Sequence, residues 1–419
     1  MKLTDAEAHW LSGGKGKAQQ LAMQLIVAAA EASGALELVP IDFAHINSCH
    51  YSGKLSLDFA EFLLAEGAQL SVPTHTNASL IDRATPGLRP DSDFPEEVAG
   101  AHRLMDIYEQ LGCTPMWSCA PYQQTDGRPT LGQQIAGSES NAVGFFNSVL
   151  GARTNKYGDL LDISAAIIGR VPFVGLHTDE GRLATHLFEL RLPDELLSDP
   201  RLPHVLGLIL GREANTAVPV IMGLPAAEED DLKAIAAAAA TAGAVEMFHV
   251  IGITPEAPTL DDATGGRGPS RTTVVDSQLV ASMLASLSSR TAGSVSAVCL
   301  GTPHFSVAEF GELVRTLGEA HTHPSVTVIV TTSRSVWAEV QLRGWDVLLG
   351  AAGIQVVLDT CTYYLPRSTG VTGTVMTNSA KWAYYAPGML DVEVVFASLA
   401  DCVASAIAAE IRLSNEVAA

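Results

Sequence analysis

The stretch that decides the fold class lies in the last third of the chain, where three apolar runs alternate with two amphipathic ones. The apolar runs read "SVSAVCLG" (residues 294–301), "SVTVIVTT" (325–332) and "IQVVLDTC" (354–361). The segments between them have helical spacing, and Ser306 with Glu309 gives a capping-box signature at the start of the first. Near-continuous apolar strands joined by helices are typical of a parallel sheet covered on both faces. The sequence therefore predicts an α/β fold.

The same alternation of strand-like and helical segments continues towards the N-terminus. Further strand-like runs are "ALELVPIDFAHI" (35–46), "LSVPTHT" (70–76), "RVPFVGL" (170–176) and "AVPVIMGLP" (217–225). A helix is predicted from Lys17 to Ala32, closed by Gly34, and residues 255–271 have the composition of a loop. We expect three sub-domains, at residues 1–160, 161–285 and 286–419.

Composition and charge exclude several classes of protein and partner. The chain has 419 residues, 47% of them hydrophobic and 17% charged, which suits a large folded protein rather than a disordered one. A formal charge of −21 repels nucleic acid and anionic membranes, so neither is expected as a partner. The sequence opens without an apolar leader, and its six cysteines contain no C-x-x-C pair. We therefore expect a cytoplasmic protein whose cysteines are thiols or metal ligands.

Several well-known catalytic motifs do not occur. "SGGKGK" (residues 12–17) fails the G-x-x-x-x-G-K-[ST] pattern, and no G-x-G-x-x-G follows a strand. Neither G-x-S-x-G nor H-E-x-x-H is present, so a hydrolase elbow and a zincin site have no support.

Polar, uncharged residues and cysteines stand at the ends of several predicted strands, where α/β proteins bind their ligands. The segments are "PTHTN" with His75 and Asn77, "WSCAPYQ" with Cys119, "CLGTPHFS" with Cys299 and His304, and "DTCTYY" with Cys361. Each cysteine alone is a weak signal, because cysteine is also a common core residue. Thiolates gathered in one place select a soft metal or an iron-sulfur cluster.

One predicted helix, within "GSESNAVGFFNSVLGARTNKYGD" (137–159), carries a face that is polar but almost uncharged. That face contains Ser140, Asn141, Gly144, Asn147, Ser148 and Gly151. Neutral amides and hydroxyls suit the wall of an enclosed ligand cavity, because they give hydrogen bonds without the desolvation cost of a charge. The alternative is a helix buried against a second helix. Arg153, just after this helix, is placed to bind a carboxylate.

Taken together, "PTHTNASLID", "SCAPYQ", the 137–159 run, "GTPHFSVAEF" and "DTCTYY" resemble aconitase X in its large-subunit form. The resemblance extends from "GGKGKAQQLAM" to "NSAKWAYYAPG" and so covers nearly the whole chain. It implies an aconitase-like architecture of three-layer α/β/α sub-domains around a central cleft. It also implies hydro-lyase activity with an iron-sulfur cluster held by three cysteines, of [2Fe-2S] or [4Fe-4S] type.

The resemblance also assigns residues. The cluster ligands would be Cys119, Cys299 and Cys361, although many relatives read "GCPH" where this chain has "GTPH", with Thr302 at the cysteine position. Contacts to a small hydroxy-acid substrate would fall on His45, His75, Asn77, Ser140, Asn141, Arg153, Thr154, Asn155 and Lys381.

The bacterial branch that the chain resembles is the cis-3-hydroxy-L-proline dehydratase type, which forms Δ1-pyrroline-2-carboxylate. The catalytic serine base of this family lies on a swivelling domain, and no such region follows in this sequence. We therefore expect a small partner subunit that closes over the cleft to form a heterodimer. Two alternatives stay open at this point: a dehydratase of another 3-hydroxy acid, such as mevalonate 5-phosphate, and a non-catalytic subunit that binds a small acid.

Overall fold

The computed structural model describes residues 1–85, 88–89, 94–365 and 367–414. The first part of the chain builds a small parallel sheet with helices around it. Its strands are β1 (Leu38–Pro40), β2 (Phe43–Ile46), β3 (Thr74–Thr76), β4 (Ile135–Gly137) and β5 (Arg170–Pro172). Its helices are α1 (Asp5–Leu11), α2 (Lys17–Ser33), α3 (Lys54–Ala65), α4 (Pro95–Gln110), α5 (Ser140–Ser148) and α6 (Leu161–Ile168). Strands β3, β2 and β4 pair in parallel, whereas β1 pairs with β5 antiparallel.

The middle of the chain forms a four-stranded parallel sheet in the order β8-β7-β6-β9. The strands are β6 (His186–Arg191), β7 (Pro219–Met222), β8 (His249–Val250) and β9 (Arg271–Asp276). The helices are α7 (Asp194–Leu197), α8 (Leu202–Ala214), α9 (Glu229–Ala242), α10 (Leu260–Thr264) and α11 (Ser277–Ala285). Helix α10 lies in the segment 255–271, so the prediction of a loop there is wrong over those five residues. Its start is capped by Thr259, which accepts the N–H of Asp262.

The last part contains a five-stranded parallel sheet in the order β12-β11-β10-β13-β14. The strands are β10 (Ala297–Phe305), β11 (Thr327–Thr332), β12 (Ile354–Leu358), β13 (Thr374–Thr377) and β14 (Glu393–Phe396). The helices are α12 (Val307–Leu317), α13 (Arg334–Leu342), α14 (Trp345–Ala351), α15 (Ala380–Leu390) and α16 (Leu399–Ala408). The three apolar runs became β10, β11 and β12, and Ser306 with Glu309 forms the predicted capping box. The α/β prediction is confirmed.

Strand pairing and helix packing join the residues just after position 160 to the N-terminal part of the chain. Strand β5 pairs with β1, and α6 packs on β2 and α2. The structure thus places residues 161–172 with the N-terminal elements. The sub-domain limits at 160 and 285 stay predictions. No helix in the described part of the chain is both long and apolar enough to span a bilayer.

Helix α5 is buried on all sides, so its neutral face does not line an open cavity. A Cβ atom at Gly144 would lie 3.2 Å from the Cβ of Ala236 in the alanine-rich helix α9. Asn147 Nδ2 donates to the carbonyls of Thr154 (2.8 Å) and Glu246 (3.0 Å), and Ser148 Oγ accepts the N–H of Phe248. The cavity interpretation is therefore wrong for this part of the helix. Neutral residues are needed here because charges packed against another helix would be desolvated.

Strand β10 makes an irregular turn just before it reaches the sheet edge. Its register with β11 shifts between Leu300 and Phe305, and Gly301 has φ of +87°. A Cβ atom at Gly301 would lie only 2.1 Å from the carbonyl oxygen of Thr331. This turn carries the next residues, Thr302 and His304, to the carboxyl edge of the sheet.

Replacing Gly301 with alanine should lower the free energy of unfolding by about 3 kcal/mol. A side chain at positive φ costs about 1–2 kcal/mol, and the forced contact with Thr331 adds a similar amount. Gly34→Ala is the matched control, since Gly34 has φ of +73° but open space around it. Urea unfolding of both variants checks this expectation, which equal losses of about 1 kcal/mol would contradict.

Candidate metal centre

Two thiols and one imidazole from three distant parts of the chain meet in the interior. The ligand atoms of Cys119, His304 and Cys361 all lie within 4.8 Å of one another, and all three residues are buried. Cys119 lies in the loop before the short 3-10 helix Pro121–Gln123. His304 lies near the carboxyl end of β10, and Cys361 comes three residues after β12. Parallel strands bring these ends to one edge, which is why such distant residues can meet.

Both ring nitrogens of His304 have hydrogen-bond partners, so Nδ1 can bind a metal only when the Ser118 hydroxyl turns its proton away. Nε2 lies 3.1 Å from the carbonyl oxygen of Thr360. Because a carbonyl only accepts, Nε2 carries the proton and Nδ1 has the lone pair. The hydroxyl of Ser118 donates to Nδ1 at 3.1 Å. Metal-binding histidines usually donate their second ring N–H to a carbonyl or carboxylate in this way.

The two thiols of the group are coupled. Burial raises the pKa of Cys119, but the Cys361 hydrogen bond, followed by His304, lowers it by more, to about 6. The bond to Cys119 and burial raise the pKa of Cys361 well above its ordinary value. The backbone N–H of His304 also donates to Cys119 Sγ at 3.3 Å. Cys119 is thus prepared as a thiolate, the form that binds metals.

Cys299 is not a member of this group of donors. It lies in the interior of β10, in register with Ile329, and its thiol bonds the Thr362 hydroxyl. Burial raises its pKa to about 12. Its ligand role, implied by the family resemblance, stays a prediction, and His304 occupies the place expected for a third ligand. The sequence showed His304 at a strand end, but nothing in the spacing distinguished it from a core histidine.

A buried ion pair lies beside the thiols. Lys381 Nζ is 2.7 Å from Glu139 Oε1, and both side chains are almost fully buried. Glu139 also accepts the N–H of Ala142 as the N-cap of α5. Burial raises the pKa of Glu139, but the Lys381 ammonium lowers it by more. Burial lowers the pKa of Lys381, whereas Glu139 and then Cys119 raise it by more. The pair therefore stays charged at neutral pH.

Two of the predicted substrate residues on α5 adjoin this group. Asn141 Nδ2 donates to the carbonyl of Cys119 at 2.9 Å, and its amide also bonds the hydroxyl of Tyr122. Ser140 Oγ donates to Glu139 Oε1 at 3.3 Å. Asn141 thus fixes the loop that carries Cys119, while Ser140 adjoins the ion pair.

Three predicted residues from the first sheet have buried polar atoms without a partner among the described residues. They are His45 Nδ1, His75 Nδ1 and Asn77 Oδ1. His45 Nε2 donates to the carbonyl of Ser118 at 3.0 Å, and Asn77 Nδ2 donates to Asn47 Oδ1 at 2.6 Å. Burial lowers the pKa of His45 and of His75 to about 4, so both rings are neutral. Unsatisfied buried acceptors of this kind are expected where a ligand binds.

Arg153, Thr154 and Asn155 are held in a separate network. Arg153 pairs with Asp179 and donates to the carbonyl of His177. Thr154 Oγ1 accepts the N–H of Gly137 and donates to the carbonyl of Asn155. The amide of Asn155 bonds the backbone of Val174 and Leu176. The structure therefore does not bring these side chains to the cysteines, because backbone and carboxylate groups of the same loop region already occupy them.

Three models of one family match the chain in succession. They are described as the Aconitase X first domain (residues 1–180), second domain (184–285) and third domain (295–408). A solved structure of Thermococcus kodakaraensis aconitase X in its holo-form superposes with a TM-score of 0.86 at 28% identity, covering 97% of this chain and 100% of that one.

Similar proteins carry two different names. The cis-3-hydroxy-L-proline dehydratases of Pseudomonas aeruginosa and Hypocrea jecorina are 41% and 38% identical, covering 95% and 97% of this chain and 68% of each relative. The phosphomevalonate dehydratase large subunit of Aeropyrum pernix is 32% identical, covering 95% of this chain and 98% of the relative.

Replacing Cys119 or Cys361 with serine should abolish the thiolate-to-cobalt absorption that develops when Co²⁺ is added to the metal-free protein under argon. Serine is a poor ligand for soft metals, and each change removes one of the three converging donors. Cys402→Ser is the control, because Cys402 lies buried in α16. Cys299→Ser should also keep the absorption. Its loss in that variant would place Cys299 in the centre.

The network around Arg153 predicts a pH-dependent stability. His177 is bonded by Tyr157 and Gln134, and burial, with Arg182 and Arg153, lowers its pKa to about 3. The folded state therefore resists the proton that unfolded histidine binds below about pH 6.5. Stability should thus fall as the pH drops from about 6.5 to 3, at up to about 1.4 kcal/mol per pH unit.

Urea unfolding at pH 6.5, 5.5 and 4.5 measures this slope. His177→Gln should have a shallower slope than the wild type, whatever its absolute stability. His323→Gln, at an exposed histidine, is the control and should leave the slope unchanged. Identical slopes in all three proteins would refute a titrating role for His177.

Proposed function

The chain belongs to the aconitase X family, and we propose that it is a hydro-lyase acting on cis-3-hydroxy-L-proline. The relatives of that activity are 38–41% identical, whereas the phosphomevalonate dehydratase large subunits are 28–33% identical. The observation that carries the proposal is the buried group of Cys119, His304 and Cys361 with the Lys381–Glu139 pair beside it.

The reaction breaks a C–H and a C–O bond on neighbouring carbons. A base removes the proton at C2, and the electron pair forms a C2–C3 double bond as the hydroxyl at C3 leaves with a proton as water. The enamine then becomes Δ1-pyrroline-2-carboxylate by moving a proton from nitrogen to C3. Two steps are demanding: removal of the weakly acidic proton at C2, and departure of the hydroxyl at C3, which is a poor leaving group. A fixed positive charge lowers the barrier of the first step, and a Lewis acid lowers that of the second.

The donor set fits an iron centre that keeps a position open for substrate. Thiolates favour soft metals and iron, and three protein donors leave room for a further ligand. Two thiolates on one metal atom, at about 2.3 Å each, lie at most about 4.6 Å apart. The three donor atoms lie within 4.8 Å of one another, so a small movement of the side chains would bring them within reach of one metal atom. Bound iron, alone or in an iron-sulfur cluster, would supply Lewis-acid assistance to the departing hydroxyl.

The chain's own residues would bind and orient the substrate around that position. Lys381, held by Glu139, contributes a fixed positive charge beside Cys119, where negative charge develops on the substrate. The bare acceptors His45 Nδ1 and Asn77 Oδ1 can each take a hydrogen bond from an ammonium or hydroxyl group. Neutral histidines and an amide avoid adding charge to a buried site.

We also propose that a small subunit completes the site and supplies the serine base. Support comes from the relatives whose names include "large subunit". This chain covers 98% of the length of one of them. Closure by a second body would exclude water from the reacting atoms, and its motion would then set part of the turnover time. The cytoplasmic location expected from the sequence stays a prediction.

Mevalonate 5-phosphate is the second candidate substrate. A phosphate ester needs free cationic donors. The two cations that the sequence offered, Arg153 and Lys381, are paired with Asp179 and Glu139. The higher identity to the hydroxyproline dehydratases, 38–41% against 32% for the Aeropyrum pernix relative, favours the hydroxyproline substrate.

Anaerobically purified protein, combined with the small subunit, should dehydrate cis-3-hydroxy-L-proline and contain iron. The product is measured by its reaction with o-aminobenzaldehyde, and iron with acid-labile sulfide gives the type of centre. Mevalonate 5-phosphate, assayed in parallel, should turn over at least about 100-fold more slowly in kcat/KM, as expected for a site shaped for a different hydroxy acid.

Three outcomes would contradict parts of this proposal. Faster turnover of mevalonate 5-phosphate would reassign the substrate. Full activity without the small subunit would contradict the proposal that a partner subunit completes the site. Iron-free protein that binds hydroxyproline without turning it over would favour the non-catalytic binding subunit.

A further inference from the structure

Four cationic side chains are buried in the described part of the chain, and only one of them lacks a carboxylate partner. Arg182 pairs with Glu256, Lys233 with Asp230 and Glu309, and Lys381 with Glu139. Arg89, with 7% of its surface exposed, makes no ion pair with any described residue. Buried charges in proteins are normally paired, because an uncompensated one costs several kcal/mol. Among the described residues, no carboxylate compensates the charge of Arg89.

The guanidinium of Arg89 is held in place but only partly used. Nη2 donates to the carbonyl of Cys361 at 2.6 Å, and Nη1 donates to the carbonyl of Leu80. Nε is buried without a partner among the described residues. Of the five N–H donors of an arginine, two are thus engaged. The remaining three include Nε and a terminal nitrogen, the pair that binds a carboxylate in bidentate fashion.

Arg182 shows what a buried structural arginine looks like in the same protein. Its Nε and Nη2 bind Glu256, and Nη1 donates to Asn147 Oδ1 and to the carbonyl of Leu176. Every nitrogen of that guanidinium has a partner. Arg89 differs because it is anchored from one side by two carbonyls and left without an anion on the other.

Arg89 belongs to the same site as the proposed metal centre. Its anchor, the carbonyl of Cys361, is part of a metal-donor residue. Tyr364 lies near it, accepts a hydrogen bond from Tyr363 and makes a tilted ring contact with His50 at 4.7 Å between centroids. The second anchor, Leu80, lies in the loop after β3, which also carries Asn77. Arg89 therefore spans the loops that follow β3 and β12, the two sides of the site.

The nearest rival counter-ion is Asp82. It acts on Arg89 only at a distance, without an ion-pair contact. Its Oδ1 already accepts the N–H groups of Ala84 (2.6 Å) and Thr85 (2.8 Å). Burial lowers the pKa of Arg89 to about 10, so the guanidinium remains charged at neutral pH. Asp82 thus uses one oxygen in its own turn, its Oδ2 is buried without a partner, and neither oxygen makes an ion pair with Arg89, which has no carboxylate partner among the described residues.

We propose that Arg89 binds the carboxylate of the substrate, the role that the sequence assigned to Arg153. This inference rests on the proposed function only in taking the ligand to be a small carboxylate. A carboxylate at Arg89 would be fixed next to Cys361, which would place the C2 and C3 atoms of a five-membered ring towards the metal centre and Lys381. Arg89 is then a substrate-binding residue that sets both affinity and orientation.

The test uses the complete enzyme with Arg89→Gln, Arg89→Lys and a matched control, Arg83→Gln. Arg83 lies six residues earlier and pairs at the surface with Asp106 and Glu109. Arg89→Gln should raise the KM for cis-3-hydroxy-L-proline about 100-fold, because it removes two charge-assisted hydrogen bonds. Arg89→Lys should recover part of this loss, since it keeps the charge without the bidentate geometry. Arg83→Gln should stay within about twofold of wild type.

A pair of probes separates carboxylate binding from a structural role. Pyrrole-2-carboxylate and its neutral carboxamide differ only in the charged group, and their Kd values are measured by calorimetry. The wild type should prefer the carboxylate, whereas Arg89→Gln should bind both about equally. Asp82→Asn should leave the preference intact. If Arg89→Gln keeps the carboxylate preference, or weakens both probes equally with loss of cobalt absorption, Arg89 is structural and the proposal is wrong.

The outcomes also distinguish this inference from the proposed function. Turnover of hydroxyproline with an unchanged KM in Arg89→Gln would overturn the role of Arg89 and leave the activity standing. If the wild type does not turn over hydroxyproline but its preference for the carboxylate probe depends on Arg89, the substrate assignment is wrong and the role of Arg89 is supported. Wild-type protein that binds neither probe would contradict both.

Discussion

The site depends on one constraint: sulfur and nitrogen donors from three distant segments must meet in the interior, where each needs a neighbour that fixes its position. Cys119, His304 and Cys361 meet because parallel strands deliver their ends to common edges. Each donor is then fixed by backbone groups: the Thr360 carbonyl holds the ring of His304, and Asn141 holds the loop of Cys119. The bond to the Thr360 carbonyl also decides that Nε2 of His304 carries the proton and that Nδ1 carries the lone pair.

Charge within the site follows the same constraint. The buried ammonium of Lys381 is balanced by Glu139, so that it adds a local field without a net charge. Burial keeps His45 and His75 neutral. The side-chain amides of Asn141 and Asn147 in α5 donate to backbone carbonyls. Arg89 differs from these groups, because no described residue compensates the charge of its guanidinium, and we propose that a ligand supplies the opposite charge.

Thr302 stands at the position where the family resemblance leads one to expect a cysteine ligand. Thr302 lies in the turn of β10 just before His304, and its hydroxyl is buried without a partner among the described residues. The imidazole of His304, two residues later, lies beside the thiols of Cys119 and Cys361 instead. A histidine donor in place of a third thiolate changes the charge of the centre by one unit, and with it the strength of any Lewis acid held there.

The sequence by itself determined the α/β class, the order of the strongest strands and the capped start of α12, since these follow from local periodicity and local hydrogen bonds. It also identified Cys119, Cys361, Asn141 and Lys381 as site residues through a family resemblance, and the structure places them together or in contact. Only the tertiary structure decided that His304 joins the thiols while Cys299 remains inside its strand, and that Arg153 is paired elsewhere while Arg89 is not. The reason is physical. Which partner a buried side chain meets depends on how distant strands pair, and local sequence patterns do not predict pairing between segments more than about a hundred residues apart.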